Sequence, residues 1–458
     1  MNFGHIKKIH FVGIGGIGMS GLAEILSNYD LQISGCDAAR SATTDRLVRD
    51  GIPVTIGHDP AHAEGADLVV VSSAVRRSHP ELARAREIRV PVIRRAEMLG
   101  EVTRLKRAVA VAGTHGKTTT SAMTAMVLAE AGLDPTLIVG GVLRNYAKSA
   151  KLGSGDYLVV EADEYDRSFL TLYPTIAIVT NIEADHLDIY RDLDDIRATF
   201  REFVQRVPFF GRVIACADEP NAAALLDSVE KREIRYGLSE SAELRATNVR
   251  FEERGSRFDV ARAGEPLGEV TLRVPGEHNV RNALAAIAVA LELQIPFATA
   301  AAGLEKFEGV ERRFQIVGEF RGAIVVDDYA HHPTEVRATL DAARRGWEGR
   351  RIVALFQPHL FSRTRDFHDD FAAALGAADL AFVAPIYPAR EEPIEGVTSA
   401  MITDAASRRG LPHVRLVEGD LDTVAEAMEA QIDGNDLFLT MGAGDVHKVG
   451  ERLAGGAA

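Results

Sequence analysis

Short apolar runs alternate with stretches of helical periodicity along most of this chain, the pattern of parallel sheets covered by helices. The first run, Lys8-Ile9-His10-Phe11-Val12, passes through Gly13-Ile14-Gly15-Gly16-Ile17-Gly18 into a helix predicted to end near Leu26. Runs from Gln32 to Cys36, stopping at Asp37, and from Asp67 to Val71, stopping at Ser72-Ser73, belong to a unit that closes near residue 105. A buried strand at Ala108 to Ala112 opens a second unit, followed by Gly113-Thr114-His115-Gly116-Lys117-Thr118 and a helix to about Ala131. Further strands are expected at Tyr157 to Val160 and Ile176 to Thr180, then a β-rich stretch over 240–275 and a helix from Val280. Beyond Arg312, runs over 323–326, 351–356, 380–384 and 436–440 predict a third unit. The expected fold class is α/β, in three domains spanning 1–105, 106–311 and 312–458.

Composition narrows the class. A chain of 458 residues with 46% apolar and 26% charged residues is a packed, multidomain globular protein. Its formal charge of -14 would repel a polyanion, so no nucleic acid is expected as a partner, whereas an anionic small molecule needs only local Arg and Lys. Cys36 and Cys216 show no CxxC or CxxH spacing, which points to buried thiols and neither a disulfide framework nor a cysteine zinc site. The first residues run directly into a strand, with no apolar leader, and the most apolar helix, about 281–293, carries Arg281, Asn282 and Glu292. No membrane association is expected, and a cytoplasmic protein is.

Two loops carry the chemistry. Gly13, Gly15 and Gly18 fit GxGxxG between strand and helix, where the backbone of Gly13, Gly15, Gly16 and Gly18 approaches a diphosphate closely, and Asp37 ends the next strand, placed to accept a ribose hydroxyl. Taken alone, this motif reads first as a dinucleotide site of a dehydrogenase, and more blandly as a tight turn. The loop Gly113 to Thr118 is the stronger signal. It offers a backbone cradle, the Lys117 ammonium for phosphates and the Thr118 hydroxyl for Mg²⁺, and is shorter than the usual P-loop because its leading glycine stands only three residues before Gly116. Glu161 at a strand end and His186 after the strand ending at Thr180 are the candidate metal partners; Asp185 and Asp188 read equally well as helix-start residues.

Taken with Glu161-Ala162-Asp163-Glu164, Thr180 to His186, Gly276-Glu277-His278-Asn279 with Asn282-Ala283, Gly309 to Phe314 and Asp327 to Pro333, this loop resembles the Mur ligases over all three units. Phe356-Gln357-Pro358-His359, Ser362 to Arg365 and Gly442 to Asp445 look like the branch that adds L-alanine. The resemblance implies a Rossmann-like N-terminal domain for a UDP-sugar, a central ATPase-type domain and a Rossmann-like C-terminal domain for the amino acid, which reassigns the first glycine loop from NAD to UDP. It further implies UDP-N-acetylmuramate and L-alanine as substrates, with ATP and Mg²⁺. Carried over by position, Gly113, Thr114, His115, Gly116, Lys117, Thr118 and Thr119 would hold the phosphates, Thr118 with Glu161 one Mg²⁺, and His186 a second. His278 and Asn279 would reach the base, Arg313 and Asp328 would complete the ATP site, Ser72 and Ser73 would join the UDP-sugar loop, and His331 and Arg363 would face the amino acid. Relatives with a carbamylated lysine near the second metal differ here, since no lysine stands between Lys151 and Lys231, and Leu360 follows His359 where many members have arginine.

Competing readings within reach are a ligase that recycles a tripeptide onto the same UDP-sugar, and a UDP-sugar-sensing ATP-binding regulator without turnover. Folylpolyglutamate synthase shares the P-loop chemistry and lacks the N-terminal UDP domain.

Overall fold

The structure is a computed structural model describing residues 3–72, 74–389 and 391–455. It forms two compact units, one made of 1–247, 259–270 and 281–307, the other of 248–258, 271–280 and 308–458.

The first unit opens with a five-stranded sheet of β1 (Lys8–Val12), β2 (Gln32–Asp37), β3 (Val54–Ile56), β4 (Leu68–Val71) and β5 (Val92–Arg94), in the order β3-β2-β1-β4-β5 and parallel throughout. β1 lies between β2 and β4, so the chain order reverses there, and the loop after β1 opens over the carboxyl ends of the strands, where ligands of such sheets bind. Ile9 and Phe11 pack under the helix Ile17–Ser27, while Val12, Cys36, Val69 and Val71 pack under the helix Pro80–Glu87. Gly35 has to lack a side chain, because a Cβ there would stand 2.5 Å from Ile14 Cδ1.

The helix Arg95–Leu105 leads into a ten-stranded sheet. Its strands are β6 (Arg107–Ala112), β7 (Thr136–Leu143), β8 (Lys148–Lys151), β9 (Tyr157–Glu161), β10 (Ile176–Val179), β11 (Arg212–Cys216), β12 (Glu233–Gly237), β13 (Leu244–Glu252), β14 (Gly255–Arg262) and β15 (Glu265–Leu272). The order is β15-β14-β13-β12-β11-β10-β6-β9-β7-β8. β6 is central and fully buried after Arg107, which is why it reads as a continuous apolar run rather than an alternation. The P-loop therefore hangs from a buried central strand of the sheet.

The second unit holds a sheet of β16 (Gln315–Phe320), β17 (Ala323–Asp328), β18 (Arg351–Phe356), β19 (Leu380–Val383), β20 (Val414–Leu416) and β21 (Asp436–Met441), in the order β16-β17-β21-β18-β19-β20. Only β16 runs antiparallel, as a hairpin with β17. All three predicted α/β layers are present, each with additional edge strands.

Candidate active site

The P-loop geometry follows from its glycines and from one asparagine. Gly113 at φ +137° and Gly116 at φ +81° occupy backbone conformations that side chains rarely adopt. Asn181, just past β10, accepts the His115 N–H at 2.8 Å and donates to the His115 carbonyl at 3.2 Å, while the Thr180 hydroxyl donates to that same carbonyl at 2.6 Å. At the far end Asn282 accepts from the Thr120 hydroxyl at 3.0 Å and closes over Gly116. The loop is thus clamped from both sides.

Lys117 is the first residue of the helix Lys117–Glu130. Its ammonium donates to the carbonyls of Gly113 (2.7 Å) and Thr114 (3.1 Å) and to both oxygens of Glu164 (3.0 and 2.8 Å). Burial alone would lower the lysine pKa, but the charges of Glu164 and Asp163 raise it, so the ammonium stays charged. Burial pushes the Glu164 carboxyl up to about 7 against the pull of Lys117. Glu161 ends β9 beside the loop; burial raises its pKa, while hydrogen bonds from the Gly140 N–H (2.8 Å) and from Thr118 lower it. His186, at φ +53°, points Nε2 to within 3.8 Å of both Glu164 Oε1 and Asp185 Oδ2. The Thr118 hydroxyl beside the Glu161 carboxylate offers oxygen donors of the kind Mg²⁺ takes, while His186 lies with Glu164 and Asp185. Glu164 and Asn282 were quoted in the motifs above without a role; their roles depend on tertiary contacts that spacing does not reveal.

A cavity of about 260 Å³ in the same unit is lined by Gly16, Gly18, Ser72, Arg95, Gly140 and Glu161, among others. It connects the N-terminal glycine loop with the metal-type carboxylate of the P-loop region. Gly18 faces Arg95, whose Nη1 would lie 3.1 Å from a Cβ at that position. Arg95 is a cation beside a diphosphate-type loop that sequence reasoning missed; its only signal was its position just after β5. Gly13 and Ile14 donate their N–H groups to the Cys36 carbonyl at 2.9 and 3.0 Å. Asp37, expected at a ribose, uses one carboxylate oxygen to accept the Gly15 N–H at 2.8 Å and so shapes the loop itself. Ser73 lies outside the described residues.

The second unit gathers the remaining candidates around the end of β17. The buried Asp328 accepts the N–H groups of Phe314 (2.7 Å) and Ala330 (2.8 Å). Arg313 lies over the Tyr329 ring and pairs with Glu335 at 3.4 Å. His331 Nδ1 is 3.0 Å from the Tyr329 carbonyl and 3.2 Å from Glu335, which also accepts the His331 N–H. Glu335, in the first turn of the helix Pro333–Gly346, joins Arg313 to His331 and was not foreseen. His278 stands beside Gly276, and the Asn279 amide donates to the Pro275 carbonyl at 2.6 Å. Arg363 is buried near the start of the helix Phe361–Leu375. Leu360 precedes that helix at φ +72°, with its N–H on the Tyr387 carbonyl and its own carbonyl accepting the Thr364 hydroxyl.

Asp328 gives a pH prediction. Burial raises its pKa from the usual 3.8 to about 6, against the lowering effect of Arg313 and the two N–H groups. Between those values the folded protein keeps a proton that the unfolded chain has released, so stability falls as pH rises through this window and is level above it. Asp328→Asn should flatten that limb, which is worth on the order of 2–3 kcal/mol. Urea titrations at pH 4 to 7 on both proteins would read this, and an unchanged limb in the variant would assign the pH dependence elsewhere.

A P-loop with a buried, charged lysine and adjoining carboxylates, in one unit with a second glycine loop, defines a nucleoside triphosphate-using enzyme of the α/β class. Family models agree over nearly the whole chain: the Mur ligase family catalytic domain matches residues 8–107, the Mur ligase middle domain 111–290, and the Mur ligase glutamate ligase domain 312–444. The UDP-N-acetylmuramate–L-alanine ligase of Geotalea uraniireducens is 49% identical over 98% of each chain, and that of Salinibacter ruber 49% identical over 98% of this chain and 94% of its own. Among solved structures, the UDP-N-acetylmuramate–alanine ligase of Thermotoga maritima superimposes with a TM-score of 0.81 at 32% identity over 98% of both chains. A murein peptide ligase from Psychrobacter arcticus reaches 0.70 at 27% over 98% of both chains. This chain belongs to the Mur ligase family.

Proposed function

We propose that the chain joins L-alanine to the lactyl carboxylate of UDP-N-acetylmuramate at the expense of ATP, releasing ADP and phosphate, in the synthesis of peptidoglycan precursors. The observation that carries this reading is the cavity joining Gly16, Gly18, Ser72 and Arg95 to Glu161. A diphosphate held at the first group of residues directs the sugar's carboxylate toward the second, next to Lys117. The full-length likeness to the L-alanine ligases supports the single amino acid, and the weaker likeness to the murein peptide ligase disfavours a tripeptide.

In this reading a carboxylate oxygen attacks the γ-phosphorus, the bond to ADP breaks, and an acyl phosphate forms. The alanine amine then attacks the acyl carbon and phosphate leaves. Lys117 and the N–H groups of the loop stabilise charge on the transferring phosphoryl group, with Glu164 keeping the ammonium charged and aimed until a phosphate arrives. Thr118 and Glu161 would hold one Mg²⁺ and His186 a second, supplying positive charge at the phosphates. His278 and Asn279 belong to the base, and Arg313 and Asp328 to the nucleotide. The division at residues 105 and 311 separates UDP-sugar, ATP and amino-acid domains. No helix among the described residues is long and apolar enough to cross a membrane, and the cytoplasm is the compartment this reading assigns.

Phosphate release with UDP-N-acetylmuramate and each amino acid in turn tests the reading. L-Alanine should be preferred, with glycine about tenfold to a hundredfold poorer, because one methyl group in a pocket discriminates by roughly 1–3 kcal/mol. ATP-independent hydride transfer to NAD would overturn it. His331 and Arg363 face the amino acid, and a guanidinium grips a carboxylate through two parallel hydrogen bonds that an ammonium cannot reproduce. Arg363→Lys should therefore raise the KM for L-alanine by about tenfold or more while leaving that for ATP alone; equal KM values would take Arg363 out of the amino-acid site.

A further inference from the structure

The first sheet buries a set of ligand-type side chains that the ligase chemistry leaves unused. His10 on β1, Cys36 on β2, His62 on the short helical turn Pro60–Ala63 and Glu81 on the helix Pro80–Glu87 converge, with every ligand atom within 4.8 Å of the others. Glu81 is fully buried at their centre. Its carboxylate oxygens lie 3.2 Å from Cys36 Sγ, 3.1 Å from His62 Nδ1 and 3.5 Å from His10 Nε2. His58 Nδ1 stands at the more open edge, 3.3 Å from the same sulfur and 3.2 Å from the same carboxylate. His10 is 5% exposed and turns its Nε2 toward the Glu81 carboxylate, into the centre of the cluster. Its Nδ1 is engaged by the Ser34 hydroxyl at 3.0 Å, the outer contact that fixes ring orientation in metal-bound histidines.

We propose that His10, Cys36, His62 and Glu81 form a zinc site, distinct from the Mg²⁺ chemistry at the P-loop. Bonds of about 2.0–2.3 Å in a tetrahedron put ligand atoms roughly 3.3–3.8 Å apart, so the contacts to Glu81 are already close to that spacing and the other separations, all within 4.8 Å, need to close by at most about 1 Å. One sulfur, two imidazole nitrogens and one carboxylate suit a borderline-soft ion and suit Mg²⁺ or Ca²⁺ poorly. Thiolate and carboxylate together cancel the charge of a divalent ion, which removes the cost of burying it. Burial and the neighbouring carboxylate keep the Cys36 thiol protonated in the metal-free protein, so uptake releases that proton to solvent as the sulfur–zinc bond forms. The ligands stand far apart in sequence, which is why no CxxC or CxxH spacing announced them. The site also reaches the substrate loop, because the Cys36 carbonyl accepts from Gly13 and Ile14 and the next residue, Asp37, accepts from Gly15.

Chelator-treated full-length protein titrated with Zn²⁺ alone, in competition with a chromophoric chelator, should bind roughly one equivalent at this site and gain thermal stability. Co²⁺ should produce a thiolate charge-transfer band that disappears in Cys36→Ser. Cys36→Ser and His62→Ala should weaken Zn²⁺ binding by at least about a hundredfold. Glu81→Gln is the less useful variant, because it strips three imidazoles of their partner and can prevent folding. No competitive uptake by the wild type, or uptake of unchanged affinity in both Cys36→Ser and His62→Ala, would overturn the proposal.

Discussion

Lys117→Ala is expected to lower turnover by on the order of 10²–10³ or more, since one preorganised charge at a developing phosphoryl transition state is worth about 3–4 kcal/mol. The ammonium is already held at the loop by the carbonyls of Gly113 and Thr114 and by Glu164, so an arriving phosphate has only to take the place of one of these acceptors. With the ammonium gone, burial drives the Glu164 carboxyl further up and it becomes neutral, which spares the variant an isolated buried charge. The loss should therefore appear in kcat under saturating substrates rather than as unfolding. Phosphate release together with a thermal melt separates the two. Near-normal turnover would remove Lys117 from the chemistry.

Gly113→Ala should be as damaging by a different route. A Cβ at this φ of +137° would stand 2.0 Å from Thr180 Oγ1 and 3.1 Å from the Asn181 backbone, the two residues that hold the His115 carbonyl. The loop must move by about 1 Å, and a displacement of that size costs roughly a hundredfold in rate. Gly132→Ala is the matched control. Gly132 also has positive φ, at +74°, but a Cβ there meets nothing within 4 Å. That variant should lose about 1 kcal/mol of stability and keep its activity. Steady-state rates and urea midpoints on both variants check the contrast, and equal activity losses would mean that backbone strain, not the clamp on the loop, governs the site.

The sequence was legible where a local pattern carries the structure. β1, β6, β18 and β21 are buried apolar runs read within about a residue of their bounds, and β17 was read two residues short of its acidic end at Asp327-Asp328. β3, three residues long and largely exposed, and β16, half-buried along its length without alternation, offer no such pattern and were missed. The same distinction holds for the site. Lys117, Thr118 and Glu161 announce themselves by their places in a strand–loop–helix unit. Glu164 acquires its role only through Lys117, Asn282 through Thr120, Glu335 through Arg313 and His331, and Arg95 through the loop at Gly18. Asp37, expected at a ribose from its strand-end position, also gives one of its oxygens to the Gly15 N–H, a contact that spacing does not reveal.

The central claim is that the UDP-sugar's carboxylate attacks the γ-phosphate in the cavity that ends at Glu161. UDP-N-acetylmuramate labelled with ¹⁸O in its lactyl carboxylate, turned over with ATP and L-alanine, tests it most directly. The account predicts that each turnover transfers one labelled oxygen into inorganic phosphate, with the other retained in the amide. Unlabelled phosphate, or label recovered in AMP, would contradict it.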